Sequence, residues 1–147
     1  MSYTIDANIL IYASDQESLH HDRAKGFIEA RGEDPDLLCL SWITLMGYQR
    51  IATHPSIFRH PLSPRQAWEN VENLLNLPRC RVITEQEGFA DEYTKVSGTI
   101  GVKGNLVPDA HLAVILQQHG VSRIYTADSD FRKFDFLNVV NPLTAKS

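Results

Sequence analysis

Ser2-Tyr3-Thr4-Ile5-Asp6-Ala7-Asn8-Ile9-Leu10-Ile11-Tyr12 begins as a strand-like run, breaks at an acid and resumes as an apolar segment. Tyr3 to Ile5 carries the aromatic and β-branched side chains that suit a pleated strand, whereas Asn8 to Ala13 is too densely apolar for an element facing water. Asp6 therefore falls at the carboxyl end of a buried strand. In an open parallel α/β sheet that edge is where ligands bind, because loops there line a crevice that the helices leave uncovered. Taken alone, Asp6 is better read as a cap on the following helix. Other acids in similar settings change that balance.

Working outward, Leu19 to Arg31 places Ala24, Phe27 and Ile28 on one helix face, with Gly32 as the expected C-cap. His20 and His21 lie in its first turn about 100° apart, so they read as a solvated face rather than a metal clamp. Leu37-Leu38-Cys39-Leu40 is a short continuous apolar run, the pattern of a second, doubly buried parallel strand. Ser41 is suited to cap a helix from Trp42 to about Thr53, with Ile43, Met46, Gly47, Arg50 and Ile51 near one face, and His54-Pro55 ends it. A glycine inside a helix costs roughly 0.5–1 kcal/mol relative to alanine, so Gly47 calls for a close backbone approach or open space beside it. Ser63-Pro64-Arg65-Gln66 combines an N-cap, a proline at the first helical position and a capping-box glutamine, opening a helix with Ala67, Val71, Leu74 and Leu75 inward until Pro78.

Arg81-Val82-Ile83 reads as a third strand, and Phe89, Tyr93 and Val96 give the next helix. Gly98 to Gly104 is expected to be a mobile loop. Its glycines do not have the spacing of a dinucleotide or phosphate loop, and Lys103 reads as a solvated cation before a phosphate ligand. Pro108 suits the first position of a helix that carries Asp109 in its first turn, is apolar nearly all round, and ends at Gly120. Arg123 to Thr126 is a strand followed at once by Ala127-Asp128-Ser129-Asp130-Phe131, and Leu137 to Val140 is the last strand. Strand and helix alternate without repeats, so the expected architecture is a single three-layer α/β domain over residues 1–147, with a central, largely parallel sheet flanked by helices.

Composition narrows the function. The chain has 147 residues, 43% hydrophobic and 22% charged, with a formal charge of −4. That length can bury roughly 70% of the surface an unfolded chain exposes. The negative balance argues against coating nucleic acid through bulk positive field, but not against a nuclease, whose carboxylates hold metal ions that supply local positive potential. Two cysteines, Cys39 and Cys80, without a paired C-x-x-C, read as structural thiols of a reducing compartment with no zinc signature. No leader pattern and no run of eighteen apolar residues occurs, so a soluble cytoplasmic protein with no membrane partner is expected.

Three acidic stations share one description: Asp6 and Asp128 follow strands, and Asp109 opens a buried helix. Singly, each is explained by capping or by the helix dipole. Gathered at one sheet edge they would repel and raise one another's pKa unless a cation neutralised them, and such oxygen ligands select Mg²⁺ or Mn²⁺. Asn8 can orient a ligand or water, and Thr126 adds a hydroxyl.

Asp6-Ala7-Asn8, Asp109-Ala110 and Thr126-Ala127-Asp128-Ser129-Asp130-Phe131 resemble the three acidic motifs of the PIN-domain nucleases, and more narrowly those of the VapC toxins of type II toxin–antitoxin pairs. The similarity extends through Arg50-Ile-Ala-Thr-His-Pro55, Gly104-Asn-Leu-Val-Pro-Asp-Ala-His111 and Asn141-Pro-Leu143. A D-x-N alone is a weak signal, whereas three stations in order are a strong one. The resemblance implies Mg²⁺-dependent cleavage of RNA, with Asp6, Asp109 and Asp128 as metal-site carboxylates and Asp130 as a supporting acid. It also implies an RNA substrate, a cognate VapB-type antitoxin and a homodimer. Trp42, Tyr48 and Trp68 fit the dimer, being apolar residues that one small core leaves partly uncovered. One departure stands out: Gly47 falls where the family commonly has a glutamate. The alternative is accordingly a catalytically weak module that binds RNA or an antitoxin. A phosphoaspartate hydrolase with Asp6 as nucleophile is a further alternative, but that chemistry wants a second acid where this chain has Asn8.

Overall fold

The opening stretch folds as its pattern dictates. Ser2–Ile5 forms strand β1 with all but its first residue buried, and Asp6 caps helix α1 (Ala7–Ser14) by accepting the Ala7 N–H. The computed structural model describes residues 1–144; the last three residues of the expected single domain lie outside that range. Helix α2 (His21–Glu29) follows, then β2 (Leu37–Ser41), α3 (Trp42–Ala52), α4 (Pro64–Leu75), β3 (Cys80–Ile83), α5 (Phe89–Ile100), α6 (Leu106–Gln118), β4 (Arg123–Tyr125) and β5 (Asn138–Val140).

The sheet runs β3-β2-β1-β4-β5, and every neighbouring pair is parallel. Side chains alternate across it. Tyr3, Ile5, Leu38 and Leu40 face a core completed by α1 to α4, while Cys39, Ile83 and Ile124 face the one built with α5 and α6. This period of two places apolar groups on both faces and yields three layers. The strand order reverses direction at β1 and β4, so the crevice of such a sheet opens beyond their carboxyl ends.

Several elements differ from their sequence reading. Helix α2 starts at His21, leaves Leu19 fully exposed, and tightens into a 3-10 turn over Ala30–Glu33. Gly32 lies inside that turn rather than capping the helix, and the Arg31 guanidinium reaches back to the Phe27 carbonyl there (2.9 Å). Strand β2 runs one residue further, because Ser41 still pairs with Ile83 before its hydroxyl accepts the Ile43 N–H. The buried face of α3 is Thr44, Leu45, Tyr48 and Ala52, and Met46 lies outside. Tyr48 is only 2% exposed, which removes it from any docking surface.

Helix α5 continues through Gly98 to Ile100, since Phe89, Tyr93, Val96 and Ile100 keep helical spacing against the second core. The expected loop shrinks to a short connection whose Gly101 and Gly104 take φ of +75° and +58°, conformations that favour glycine. Pro108 is the third residue of α6 rather than the first, a position where its missing N–H still costs no intrahelical bond. At the other end Gly120 (φ +68°) lets Val121 N–H bond to the Leu116 carbonyl (2.9 Å), closing the helix.

Candidate metal centre

Four segments deliver the site. The backbone N–H of Asp6 bonds to the Tyr125 carbonyl (2.9 Å), and that of Thr126 to the Val140 carbonyl (2.9 Å), so parallel pairing holds the ends of β1, β4 and β5 in register just where the acids emerge. The buried Thr126 hydroxyl ties them together. It donates to Asp6 Oδ2 (2.7 Å) and accepts from Asn8 Nδ2 (3.2 Å) and from the Asp128 N–H (2.9 Å). Asn8 Oδ1 in turn accepts the Ala127 N–H (3.3 Å). Asn8 and Thr126 thus orient the carboxylates and the loop after β4, and the hydroxyl's capacity is filled by protein groups.

Asp128 caps the short 3-10 turn Ser129–Lys133, its Oδ1 accepting the Asp130 N–H (2.8 Å). That turn aims Asp128 and Asp130 toward Asp109 on the first turn of α6, and one oxygen from each of the three lies within 4.8 Å of the others. The sequence reading placed Asp6, Asp109 and Asp128 together with Asp130 in support. In the structure Asp130 joins the tight group, and Asp6 stands alongside with both oxygens engaged, Oδ1 by Ala7 N–H (2.8 Å) and Oδ2 by Thr126. Lys133, which sequence reasoning passed over, sits 3.7 Å from Asp130. Its spacing three residues after Asp130 on a tight turn was the available signal.

The electrostatics record the crowding. Asp109 is pushed up to about 7, first by burial, then by the negative charges of Asp128, Asp6 and Asp130, with Lys133 opposing. Asp6 is also raised, mainly by burial, against the stabilising bonds from Thr126 and Ala7. A set of hard oxygen donors that repel one another is what a divalent cation relieves, and carboxylates alone suit Mg²⁺ or Mn²⁺. The donor set therefore fits such an ion. At Gly47 an added Cβ would meet no atom within 4 Å, so the open space, not backbone crowding, accompanies this helical glycine.

The PIN domain family model matches residues 3–137. Ribonuclease VapC48 of Mycobacterium tuberculosis is 38% identical over 144 residues, covering 98% of this chain and 99% of that protein. The chain belongs to the PIN-domain family, in its VapC branch. Ribonuclease VapC37 of the same organism is a further VapC relative, 31% identical over 131 residues, covering 89% of this chain and 90% of its own length. Among solved structures, VapBC2 from Rickettsia felis, bound to a DNA fragment from its promoter, aligns with TM-score 0.67 at 17% identity over 95% of this chain and 97% of that one. VapBC-1 from nontypeable Haemophilus influenzae aligns with TM-score 0.67 at 20% identity over 98% and 100%. At those identities the structural matches establish the PIN fold.

Proposed function

We infer that this PIN-domain chain is a divalent-metal-dependent ribonuclease and the toxin of a VapBC-type toxin–antitoxin pair. The observation that supports it most is the convergence of Asp109, Asp128 and Asp130 beside Asp6 at the carboxyl edge of β1 and β4. The relatives named ribonuclease VapC, and the VapBC complexes among its structural neighbours, bring the RNA substrate and the antitoxin to this reading.

Asp6, Asp109 and Asp128, together with Asp130 from the tight group, are the residues that would hold Mg²⁺ or Mn²⁺. When bound, such an ion lowers the pKa of a water and offsets the charge that grows on a scissile phosphate. The chain's own contribution is placement. Thr126 and Asn8 lock Asp6 and the Asp128 loop in one geometry, so little reorganisation is left for the reaction to drive. Lys133 lies against Asp130, where it offsets part of the local negative charge that would repel an incoming phosphate. A cognate VapB-type antitoxin holds the toxin inactive, a second copy forms the homodimer, and the reaction takes place in the cytoplasm. Toxicity of the chain expressed alone, relieved by co-expressed antitoxin, tests the pairing, and light scattering at micromolar concentration tests the dimer.

Gly47 favours a second reading, a PIN-like module that binds RNA or antitoxin with weak or no cleavage. Thermal melting separates the two. Mg²⁺ or Mn²⁺ should raise the melting temperature of the wild type and not of Asp109→Asn, because only a native-state site is stabilised by its ligand. A melting temperature indifferent to both ions would leave the binding module as the better account.

A further inference from the structure

Trp42 and Trp68 are the only tryptophans in the chain, and both remain substantially exposed, at 41% and 37%. Their rings are nearly parallel, 10° apart, with centroids separated by 6.5 Å. Their position relative to the acids is set by the sheet. Tyr3 pairs with Leu38, so the same register three residues on brings Asp6 beside Ser41, and Trp42 follows directly. Neighbouring strands lie about 4.8 Å apart, which puts Trp42 one strand over from Asp6, and two from the loop after β4 that carries Asp128 and Asp130, on the same sheet edge.

From there a surface leads away along α3 and α4. Gln49 Nε2 donates to the Pro64 carbonyl (3.0 Å) while Trp42 stacks on Trp68, so the two helices run antiparallel with Met46, itself half exposed, on the shared outer face. Arg50 lies at the far end of that face, about 12 Å along α3 from Trp42 at 1.5 Å per residue. Arg59 and Arg65 are exposed nearby in sequence, the latter loosely paired with Glu69 at 3.2 Å. From Leu37 to Trp68 the chain contains Arg50, Arg59 and Arg65 but no aspartate, glutamate or lysine, and the acids of α4, Glu69 and Glu72, come only after Trp68, although the protein as a whole carries −4.

We propose that the α3–α4 face is the track on which single-stranded RNA enters the acidic centre, a base stacking on the Trp42–Trp68 pair and the flanking phosphates meeting Arg50, Arg59 and Arg65. This rests on the ribonuclease reading and adds to it the surface that holds the substrate; it gives Trp42 and Trp68 to RNA instead of the dimer contact expected of them from the sequence, and the homodimer then forms through another face. Aromatic faces accept any base, and arginines neutralise phosphates without reading sequence, so the track binds single strands by stacking and charge. An acidic cluster repels RNA unless binding energy comes from beside it, and the exposed tryptophan pair with Arg50 and Arg59 is a surface on the same sheet edge that can supply it.

The test uses the full chain with Asp109→Asn, which holds RNA uncleaved, and a short single-stranded RNA in Mg²⁺. With only two tryptophans, emission reports this pair alone. RNA should quench it saturably, and Trp42→Ala with Trp68→Ala should weaken binding, read by anisotropy of labelled RNA, roughly 10-fold or more. Trp42→Phe with Trp68→Phe keeps aromatic faces and should retain most of the affinity, guarding against a loss caused by misfolding. Replacing Arg50, Arg59 and Arg65 with Gln should reduce the slope of log affinity against log salt by about 2. RNA binding with unchanged emission and no loss in the alanine variant overturns the proposal while leaving the nuclease reading intact. Emission that shifts with protein concentration in the absence of RNA, and monomeric alanine variants, assigns the face to a second copy and overturns it too. Failure of wild-type cleavage is read separately and bears on the nuclease reading itself.

Discussion

Thr126 gives its one proton to Asp6 and takes two, from Asn8 and from the Asp128 backbone, in a setting almost closed to water. Replacing it with valine leaves three polar groups short of a partner, and a buried group so stranded costs about 1–3 kcal/mol. Thr126→Val should therefore lower stability in denaturant titrations by at least that amount and reduce cleavage, whereas Thr126→Ser, which keeps the hydroxyl, should retain both. Asp109 gives a pH prediction for the metal-free protein. Its pKa of about 7 in the folded protein lies above the 3.8 of an ordinary aspartate, so the folded state holds a proton that the unfolded state releases between these values. Stability in chelator should fall as pH rises from about 4 to 7 and level off above; a flat or rising profile contradicts the assignment. Gly47→Glu gains helix propensity of about 0.5–1 kcal/mol and adds a negative charge in open space, at the position where the resemblance puts an acid of the metal site. It should melt lower in chelator, recover with Mn²⁺ or Mg²⁺ and bind a second metal more tightly; an inert wild type beside an active variant would favour the binding module instead.

At the scale of elements, the sequence was most legible where local chemistry and tertiary packing agree. The Ser63 capping box forms as read, with Gln66 N–H on Ser63 Oγ at 3.1 Å and Ser63 N–H on Gln66 Oε1 at 3.0 Å. It was least legible at glycines. Gly32 reads as a cap and Gly98 as the start of a loop, yet both adopt ordinary helical backbone, because neighbouring apolar side chains gain more by packing than glycine loses in propensity. Only Gly88, Gly101, Gly104 and Gly120 take positive φ among the described residues. The distinction has opposite consequences for the same substitution. Gly98→Ala, whose Cβ meets nothing within 4 Å, should stabilise the protein by about 0.5–1 kcal/mol, whereas Gly120→Ala forces an alanine into the left-handed region and should cost roughly 1 kcal/mol. Urea unfolding of the two variants checks both signs.

For the whole molecule, alternating elements announced a parallel three-layer fold, and the acids at strand ends pointed to the candidate site, since the carboxyl edge follows from topology alone. The division of labour among the acids was not legible. Which carboxylate reaches the tight group depends on the turn after β4 and on the bonds that occupy Asp6, features set by tertiary contacts across more than a hundred residues. Tyr48 likewise read as an uncovered apolar residue, yet it is buried, its hydroxyl bonded to Ser14 (2.7 Å) and Asn70 (2.9 Å), because its neighbours come from α1 and α4 rather than its own helix. The central claim is that Asp6, Asp109 and Asp128, with Asp130, form one divalent-cation site that cleaves RNA. Its most direct test is cleavage of single-stranded RNA by purified wild type and Asp109→Asn across a titration of Mg²⁺ and Mn²⁺. The account predicts wild-type cleavage that is absent in chelator and saturates with metal, and none from the variant; cleavage that persists in chelator, or is undiminished in Asp109→Asn, would contradict it.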